Sequence, residues 1–304
     1  MAYDERKVSN VDHHPAATGQ PDSLPVVDPF VSVIIPVYND AARLKLCLNA
    51  LAKQSYPTDR YEIIVIDNDS NPEEDVTNLT KSFDNVVLTQ ELASGSYVAR
   101  NKGLTLAKGE IIAFTDSDCI PNPDWLENGV QYLADNPSCG LVAGHVNMFV
   151  QQPGKATAIE MYDQVVMGFP QEMLITTYKV AMTANVFTRR SVIEEVGNFR
   201  PDLRSYGDGE WAQRVYSAGY EHRYRPDVCV EHPARETFEA LTNRVTRYSG
   251  GKFDRFITHE TSWWKRNRRF IRFVVEDLTI QAFIQGRKAL QDDRIDNIGM
   301  RMKV

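Results

Sequence analysis

Short apolar runs and helix-period apolar stripes alternate along the chain from Val31 onward. The first run, Val31–Val37, is rich in β-branched residues, which is typical of a strand buried on both faces. After Asp40, a residue type that caps helices, apolar residues at spacings of three and four predict a helix over 41–54. The alternation continues with predicted strands at 62–66, 86–88 and 111–114 and predicted helices at 74–83 and 97–107.

This alternation predicts a mainly parallel sheet covered by helices on both faces. In such sheets ligands bind at the carboxyl ends of the strands. Polar, acid-rich segments follow three of the predicted strands, at 38–40, 67–69 and 116–118, so we expect them to share one functional edge. No glycine-rich phosphate loop follows the first strand, which argues against dinucleotide-binding and P-loop proteins.

Asp116 and Asp118 flank one serine directly after an apolar strand. Two carboxylates in this position can reach one hard cation, and oxygen ligands suit Mg²⁺ or Mn²⁺. An ordinary turn would have the same sequence, because Asp and Ser both favour turns. The two other acid-rich strand ends favour the metal site.

Composition and charge narrow the class of protein. The 304 residues are 42% hydrophobic and 25% charged, as in globular proteins, and the net charge of −7 argues against a nucleic-acid binder. From His232 onward there are 15 Lys and Arg but only 9 Asp and Glu, a net of +6 that leaves −13 for the rest. The N-terminal segment lacks the apolar core of a signal peptide, and no apolar stretch reaches about 18 residues, so we expect a cytoplasmic protein.

Six ordered segments resemble the family 2 glycosyltransferases of the GT-A fold. VSVIIPVYND, IIVIDNDS and SYVARNKGLTLAKGEIIAFTDSD resemble the part of these enzymes that binds the nucleotide-sugar. AMTANVFTRRSVIEEVGNF, SYGDGEWAQRV and VEHPARETF with RYSGGK resemble the later, acceptor-side motifs. The resemblance extends over about residues 31–252, and the order of the segments makes it specific.

The resemblance implies an α/β fold of GT-A type, with a Rossmann-like, mainly parallel central sheet flanked by helices. It places the catalytic domain at 30–235. The proline-rich segment at 1–29 has no hydrophobic period and predicts a poorly ordered tail, and 236–304 is predicted to be a basic helical C-terminal region. Within the catalytic domain, 30–120 would bind the nucleotide-sugar and 121–235 the acceptor. The implied reaction moves a sugar, with inversion, from a nucleoside diphosphate to a hydroxyl group with Mn²⁺ or Mg²⁺ as cofactor. A UDP-sugar is favoured as donor, with GDP and dTDP as alternatives, and polysaccharide biosynthesis is the expected setting.

The resemblance also assigns residues to each part of the site. Nucleotide-sugar contacts would come from Pro36, Tyr38, Asp67, Asp69, Arg100, Asp116, Arg244 and Arg247. The metal would be bound by Asp118, Asp116 and His232. Acceptor contacts would come from Asn185, Thr183 and Trp211.

The expected general base lies in SYGDGEWAQRV. Gly207 stands where the family often has Glu, whereas Asp208 keeps the family's Asp six residues before Arg214. Inverting transfer needs a base within hydrogen-bonding reach of the acceptor hydroxyl, so we expect Asp208 in this role and Glu210 as the alternative. Asp208 would also suit the N-cap of a helix over 209–218.

Residues 261–275 combine Trp263 and Trp264 with five cations and further apolar residues. This pattern is typical of an interfacial helix attracted to anionic lipid, and it would suit a lipid-linked acceptor at the inner face of a membrane. A helix packed on the catalytic domain, or a homodimer contact, would have the same pattern.

Two other functions compete with glycosyl transfer to a glycan or lipid-linked acceptor. A sugar nucleotidyltransferase would need a glycine-rich, basic triphosphate loop after the first strand, where this chain has Pro36 to Asp40. A non-catalytic scaffold that binds glycan would be compatible with the altered motif at Gly207.

Overall fold

The computed structural model describes residues 28–152, 154–276, 278–279, 282–295, 298–301 and 303. The tail predicted at 1–29 therefore lies outside the described residues, apart from Asp28 and Pro29. Eight strands are present in the described chain: β1 Val31–Val37, β2 Tyr61–Asp67, β3 Val86–Gln90, β4 Ile111–Thr115, β5 Ile120–Pro121, β6 Cys139–Phe149, β7 Asn185–Arg189 and β8 Glu221–Pro233.

These strands form one sheet in the order β3-β2-β1-β4-β7-β6-β8-β5. The strands β1 to β4 pair in parallel, and β6 pairs in parallel with β8. The strand β7 runs antiparallel between β4 and β6, and the short β5 runs antiparallel to β8. The predicted mainly parallel sheet is confirmed, with one reversed strand at its centre.

Helices flank the sheet and continue beyond it. They are α1 Ala41–Leu51, α2 Val76–Thr80, α3 Ser96–Leu106, α4 Trp125–Asp135, α5 Ala158–Met161, α6 Gln171–Met173, α7 Arg190–Val196, α8 Gly207–Ser217, α9 Phe238–Phe256, α10 Trp263–Glu276, α11 Ala282–Gln291 and α12 Ile298–Arg301. The helices α5 and α6 each run on into a wider π-helical segment, Tyr162–Met167 and Leu174–Tyr178.

The strands at 62–66, 86–88 and 111–114 are all found where the sequence predicts them. The helix predicted over 74–83 is shorter, because Asp75 adopts a left-handed φ of 46° and α2 begins after it. The carboxylate of Asp75 accepts a hydrogen bond from the backbone N–H of Asn78 and caps this short helix.

Two apolar layers hold the helices against the sheet. Successive residues of a strand point to opposite faces, so Val33 and Ile35 pack in the layer that contains α1 and α4. Ile34 packs in the other layer, which contains α3 and α8. The shared layer matters for the site, because it places α3 and α8 side by side.

The C-terminal helices form the predicted helical extension. The helix α9 lies so close to the segment before α8 that a Cβ atom at Gly251 would lie 2.4 Å from Cβ of Ser205. Within the described residues, every helix is too short or too polar to cross a membrane.

Candidate active site

Three acid-rich segments lie along one edge of the sheet, as the sequence predicts. The strands β1, β2 and β4 are neighbours in parallel register, so their carboxyl ends meet at the same edge. Asp40, Asp67 and Asp116 occupy the ends or the following loops of these strands. A hydrogen bond of 3.4 Å from Ser117 Oγ to Asp40 Oδ2 links the loops after β4 and β1.

The loops after β1 and β2 are bound to each other. The backbone N–H of Asn39 donates to Ser70 Oγ at 2.9 Å, and Asn71 N–H donates to Asn39 Oδ1 at 2.7 Å. Both Asn39 and Asp69 adopt left-handed φ angles, 49° and 67°, which such tight turns require. The result is a rigid double loop beside Asp67.

Asp67 lies at the end of β2, with Oδ1 accepting from Ser70 N–H at 3.0 Å. Its Oδ2 has no hydrogen-bond partner in the described part of the chain and is available to a ligand. Tyr38 is 63% exposed at the end of the neighbouring strand, and Pro36 is half-buried beside it. These positions suit the nucleoside contacts that the sequence predicts.

Arg100 and Asp116 form a buried ion pair. The Arg100 side chain is only 4% exposed, and its Nη2 donates to Asp116 Oδ1. Among the described residues, the Nε–H of Arg100 has no partner. A buried, unsatisfied guanidinium donor at this edge is costly unless a ligand completes its hydrogen bonds.

Asp118 and His232 face each other across the same edge. The Nδ1 of His232 lies 2.7 Å from the carbonyl oxygen of Pro233, which fixes the proton on Nδ1. The Nε2 atom lies 3.2 Å from Asp118 Oδ2, where it donates to the carboxylate when His232 is protonated and offers a lone pair to a cation when His232 is neutral. Burial raises the pKa of Asp118, but His232 and then Arg43 outweigh it, so the pKa of this carboxyl lies below its usual range.

A divalent cation fits between these two groups. Two adjacent ligands at about 2.1 Å from an octahedral ion lie about 3 Å apart, close to the observed separation. A metal-bound imidazole commonly donates its other N–H to a carbonyl, as His232 does. No group of three or more His, Cys, Asp or Glu side chains converges in the described ranges, so water and substrate would complete the coordination.

Asp208 lies in the first turn of α8 and is held by α3. Its Oδ1 accepts from the hydroxyl of Tyr97 at 3.1 Å and from Gly209 N–H at 2.9 Å. Burial raises the pKa of Asp208, against the lowering effects of Gly209 N–H and Arg100. Asp208 is not the N-cap of this helix, because α8 begins at Gly207 and Tyr206 occupies the capping position.

The absence of a side chain at position 207 has a steric cause. A Cβ atom on Gly207 would lie 2.6 Å from the ring of Tyr97, which is itself buried. The Tyr97 ring therefore takes the space that a Glu side chain would need. In this structure there is therefore no room for the Glu that the resemblance leads us to expect at position 207, whereas Asp208 keeps its contact with Tyr97.

Glu210, the alternative base, is not placed to take a proton from a substrate. Its two carboxylate oxygens accept from Arg214 Nε at 2.9 Å and Nη2 at 3.2 Å. The same guanidinium donates to the carbonyl of Asn198 at 2.6 Å. Glu210 therefore anchors α8 to the preceding loop, and the alternative assignment is corrected.

Two predicted acceptor residues belong to the core instead. Asn185 is fully buried, where its Oδ1 accepts from Trp125 Nε1 at 2.9 Å and its Nδ2 donates to the carbonyl of Val228 at 2.9 Å. Trp211 is 1% exposed and packs against Phe114 in an edge-to-face contact. Neither side chain can touch an acceptor.

Thr183 remains near the candidate base. Its side chain is buried, but its backbone N–H helps to lower the pKa of Asp208. Thr183 thus contacts the candidate base through its backbone, and its predicted contact with an acceptor stays a prediction.

Arg244 also has a structural role that the sequence prediction missed. It is 4% exposed, its Nη1 donates to Asp163 Oδ1 at 2.6 Å, and its Nη2 donates to the carbonyl of Gly168 at 2.8 Å. Asp163 is fully buried and lies in the first π-helical segment. Arg244 is therefore not available to a diphosphate, whereas Arg247 is exposed on α9.

Arg235 shares Asp163 with Arg244 and is the cation that the sequence prediction overlooked. Its Nη1 lies 3.1 Å from Asp163 Oδ2, and its side chain is 18% exposed. Its field also contributes to the lowered pKa of Asp118. The sequence could have indicated Arg235, because it lies three residues after His232 in the segment VEHPARETF.

Comparisons with known proteins support the same reading of the motifs. The sequence profile of the family described as "Glycosyl transferase family 2" matches residues 32–197. "Glycosyltransferase AglE" of Haloferax volcanii is 41% identical over 216 residues, which is 70% of either chain. "Pre-mycofactocin glycosyltransferase" of Mycobacterium tuberculosis is 28% identical over 233 residues, 75% of this chain but 48% of that protein.

Two solved structures resemble the fold. The mannosyltransferase PcManGT from Pyrobaculum calidifontis, in complex with GDP-Man and Mn²⁺, has a TM-score of 0.59 at 21% identity, covering 91% of this chain and 79% of that one. The TarS 1-349 structure from S. aureus with UDP-GlcNAc has a TM-score of 0.53 at 22% identity, covering 68% and 59%. At these identities the likeness establishes the fold. Because the family profile covers more than half of its length and a relative is 41% identical over 70% of it, the chain belongs to the family 2 glycosyltransferases.

Proposed function

We propose that this glycosyltransferase moves a sugar from a nucleoside diphosphate to a hydroxyl acceptor, with inversion and with the help of a divalent cation. The observation that carries the proposal is the pair of contacts made by α3. Tyr97 binds Asp208 and Arg100 binds Asp116, and both come from one face of that helix. A carboxylate suited to the donor and a carboxylate suited to the acceptor are thereby fixed relative to each other.

The donor nucleoside would bind in the double loop at the ends of β1 and β2. Asp67 offers a carboxylate oxygen to the base, and Tyr38 and Pro36 offer exposed surface for stacking and packing. We favour UDP as the nucleotide. The structural relatives contain GDP-Man in one case and UDP-GlcNAc in the other, so GDP is the alternative to test.

Asp118 and His232 would hold the cation. A divalent ion at this position supplies charge neutralisation for the diphosphate that leaves. An imidazole ligand suits Mn²⁺ better than Mg²⁺, and the mannosyltransferase from Pyrobaculum calidifontis was solved with Mn²⁺. We therefore propose Mn²⁺ as the preferred ion.

Arg235 would contact the leaving diphosphate. Two guanidinium groups share the single negative charge of Asp163, which leaves one excess positive charge at the edge that carries Asp118. The Nε and Nη2 donors of Arg235 have no protein partner within the described residues. Planar, divergent donors of this kind suit phosphate oxygens.

Asp208 would act as general base in a single displacement. It takes the proton of the acceptor hydroxyl as the acceptor oxygen bonds to the anomeric carbon and the bond from that carbon to the diphosphate breaks. Burial raises its pKa, which moves a carboxylate toward the basicity that proton abstraction needs. Tyr97 would orient the carboxylate through the hydrogen bond of 3.1 Å.

A thermal-shift panel of UDP, GDP and dTDP with and without Mn²⁺ tests the donor and metal assignments. A ligand that binds only the folded state raises the unfolding temperature. We expect one diphosphate to give a large shift that requires Mn²⁺ and disappears in His232→Asn. Release of the same diphosphate from its sugar donor, measured with an acceptor panel, then tests turnover. No shift with any nucleotide would overturn the donor site, and nucleotide binding without donor cleavage would favour a non-catalytic scaffold.

A further inference from the structure

The helix α10 carries a strongly exposed apolar stripe. Trp264, Ile271 and Val275 follow each other at spacings of seven and four residues, which places them on one side of the helix. Their side chains are 77%, 60% and 52% exposed. No residue of α10 is buried, so this side has no cover in the described chain.

The opposite side of α10 makes the contact with the rest of the protein. The ring of Phe273 lies 6.2 Å from that of Phe256 of α9 in an edge-to-face contact. At 3.6 residues per turn, Phe273 lies about 200° around the helix from Ile271. Packing on α9 therefore leaves the stripe of Trp264, Ile271 and Val275 facing outward.

Five cations accompany the stripe, and most lack acidic partners. Arg272 pairs with Glu276 at 2.6 Å, and Arg269 approaches Glu260 at 3.9 Å. Three further cations of α10 have no acidic partner in the ranges that the structure describes, namely Lys265, Arg266 and Arg268. The region from residue 232 onward carries a net +6, whereas the rest of the chain carries −13. An anionic surface is therefore attracted to this end of the molecule and repelled by the rest.

We propose that α10 docks onto an anionic lipid bilayer and that the acceptor reaches the active site from that membrane as a lipid-linked molecule. The stripe would enter the boundary between headgroups and acyl chains, with Trp264 at the interface, and the cations would contact lipid phosphates. The claim about the acceptor rests on the proposed function, whereas the claim about docking does not.

A short series of contacts connects α10 with the candidate base. Phe256 of α9, which packs against Phe273, also packs edge-to-face on Tyr206 at 6.3 Å between ring centroids. Arg255 Nη1 donates to the carbonyl of Tyr206 at 3.3 Å. Tyr206 lies two residues before Asp208, so a membrane held by α10 would lie on the acceptor side of the site.

Vesicle co-sedimentation of the full chain tests the docking. We expect binding to vesicles of phosphatidylcholine with phosphatidylglycerol, little binding to phosphatidylcholine alone, and weaker binding as salt rises. The variant Trp264→Glu with Ile271→Glu should lose at least about tenfold in partitioning. A control variant with the same change of charge on exposed apolar residues elsewhere, Leu46→Glu with Val87→Glu, should bind like the wild type.

The remaining results separate docking from catalysis. Absence of wild-type binding at low salt would overturn the docking. Equal binding by the stripe variant, Trp264→Glu with Ile271→Glu, would also overturn it, as would self-association through the stripe in sedimentation velocity.

With a lipid-linked acceptor in anionic vesicles, the stripe variant should lose at least about tenfold in kcat/KM, while turnover of a short, soluble acceptor stays unchanged. Equal loss with both acceptors would overturn delivery from the membrane. Vesicle binding without turnover of any nucleotide-sugar would leave docking intact and overturn the proposed function.

Discussion

Tyr97 donates a hydrogen bond of 3.1 Å to Asp208 from the same face of α3 that pairs Arg100 with Asp116. One helix thus fixes two carboxylates that lie 92 residues apart in the sequence. Helix α3 thus contacts both carboxylates, and we expect substitutions at its two contacts to have separable effects.

Exchanging Asp208 for Asn tests the general base. The amide keeps the hydrogen bond from Tyr97 but cannot take a proton, so we expect kcat to fall about a thousandfold. Nucleotide binding, measured by thermal shift, should not change. Glu210→Gln is the control, because Glu210 only anchors Arg214, and it should retain most of kcat. Substantial turnover by Asp208→Asn would remove Asp208 from the base role.

Exchanging Tyr97 for Phe tests how the base is tuned. The hydroxyl of Tyr97 lowers the pKa of Asp208, so its removal raises this pKa further. The base is active when deprotonated, and the acidic limb of kcat/KM should therefore move to higher pH, with little change on the alkaline plateau. A pH–rate profile of wild type and variant measures the shift. A limb that stays in place, in a variant with normal unfolding, would show that Tyr97 does not act on the base.

Arg235 and Arg244 form a matched pair around Asp163. Arg235→Gln should weaken binding of nucleoside diphosphates at least about tenfold, because a charged hydrogen bond is lost, while nucleoside binding is unchanged. Arg244→Gln should instead lower the free energy of unfolding by about 3 kcal/mol, because it breaks a buried ion pair. Isothermal titration calorimetry and urea unfolding measure the two quantities. Unchanged diphosphate affinity in a destabilised Arg235→Gln protein would make Arg235 purely structural.

Gly207→Ala tests the steric explanation of the altered motif. The new methyl group would meet the Tyr97 ring, so we expect a loss of about 1–3 kcal/mol in unfolding free energy. The same exchange in a Tyr97→Ala background should cost much less, and a double-mutant cycle measures the difference. Gly250→Ala is the control, since in the described chain no atom outside its chain neighbours and its own helix backbone lies within 4 Å of the added group. Additive effects in the cycle would contradict the contact.

His222 makes stability depend on pH. Burial and then the charge of Lys179 lower its pKa to about 4, and neither ring nitrogen has a hydrogen-bond partner among the described residues. Between this value and the unfolded pKa of about 6.5, the unfolded chain binds more protons, so stability falls as pH falls. We expect a loss of about 2 kcal/mol from pH 7 to pH 5 that His222→Phe abolishes, measured by urea unfolding at both values. An equal loss in the variant would assign the pH dependence elsewhere.

The strands and the acid-rich edge follow from local patterns, which is why the sequence predicts them, whereas Asp208 was singled out by the resemblance to the family. Buried strands appear as continuous apolar runs, and the topology then brings their ends together. The resemblance to the family added the pairing of Asp118 with His232, 114 residues away. The use of these residues as ligands stays a prediction.

The roles of Arg244, Asn185 and Trp211 could not be predicted locally. Whether a polar or aromatic side chain faces solvent or core depends on its partners, and the partner of Arg244 lies 81 residues away in a π-helical segment. We could not recognise this π-helical segment from its sequence. For that reason nothing in the sequence indicated that Asp163 is the buried partner of Arg244. Arg235 shares this partner from 72 residues away, so its contact could not be predicted locally either.

The reversed strand β7 determines where the long connection after β6 begins and ends. It pairs antiparallel with β6, so the 35 residues between Phe149 and Asn185 leave and re-enter the sheet at adjacent strands. Because this stretch begins and ends at paired strands, a change of its length need not alter the strand order. Among the residues that connect it to the surrounding structure, two make several hydrogen bonds each. These are Asp163, which holds the two arginines, and Gln171, which donates to the carbonyl of Asn185 at 3.1 Å. We expect an exchange within this stretch that keeps both sets of hydrogen bonds to leave β1 to β4, and the proposed donor site at their ends, unchanged.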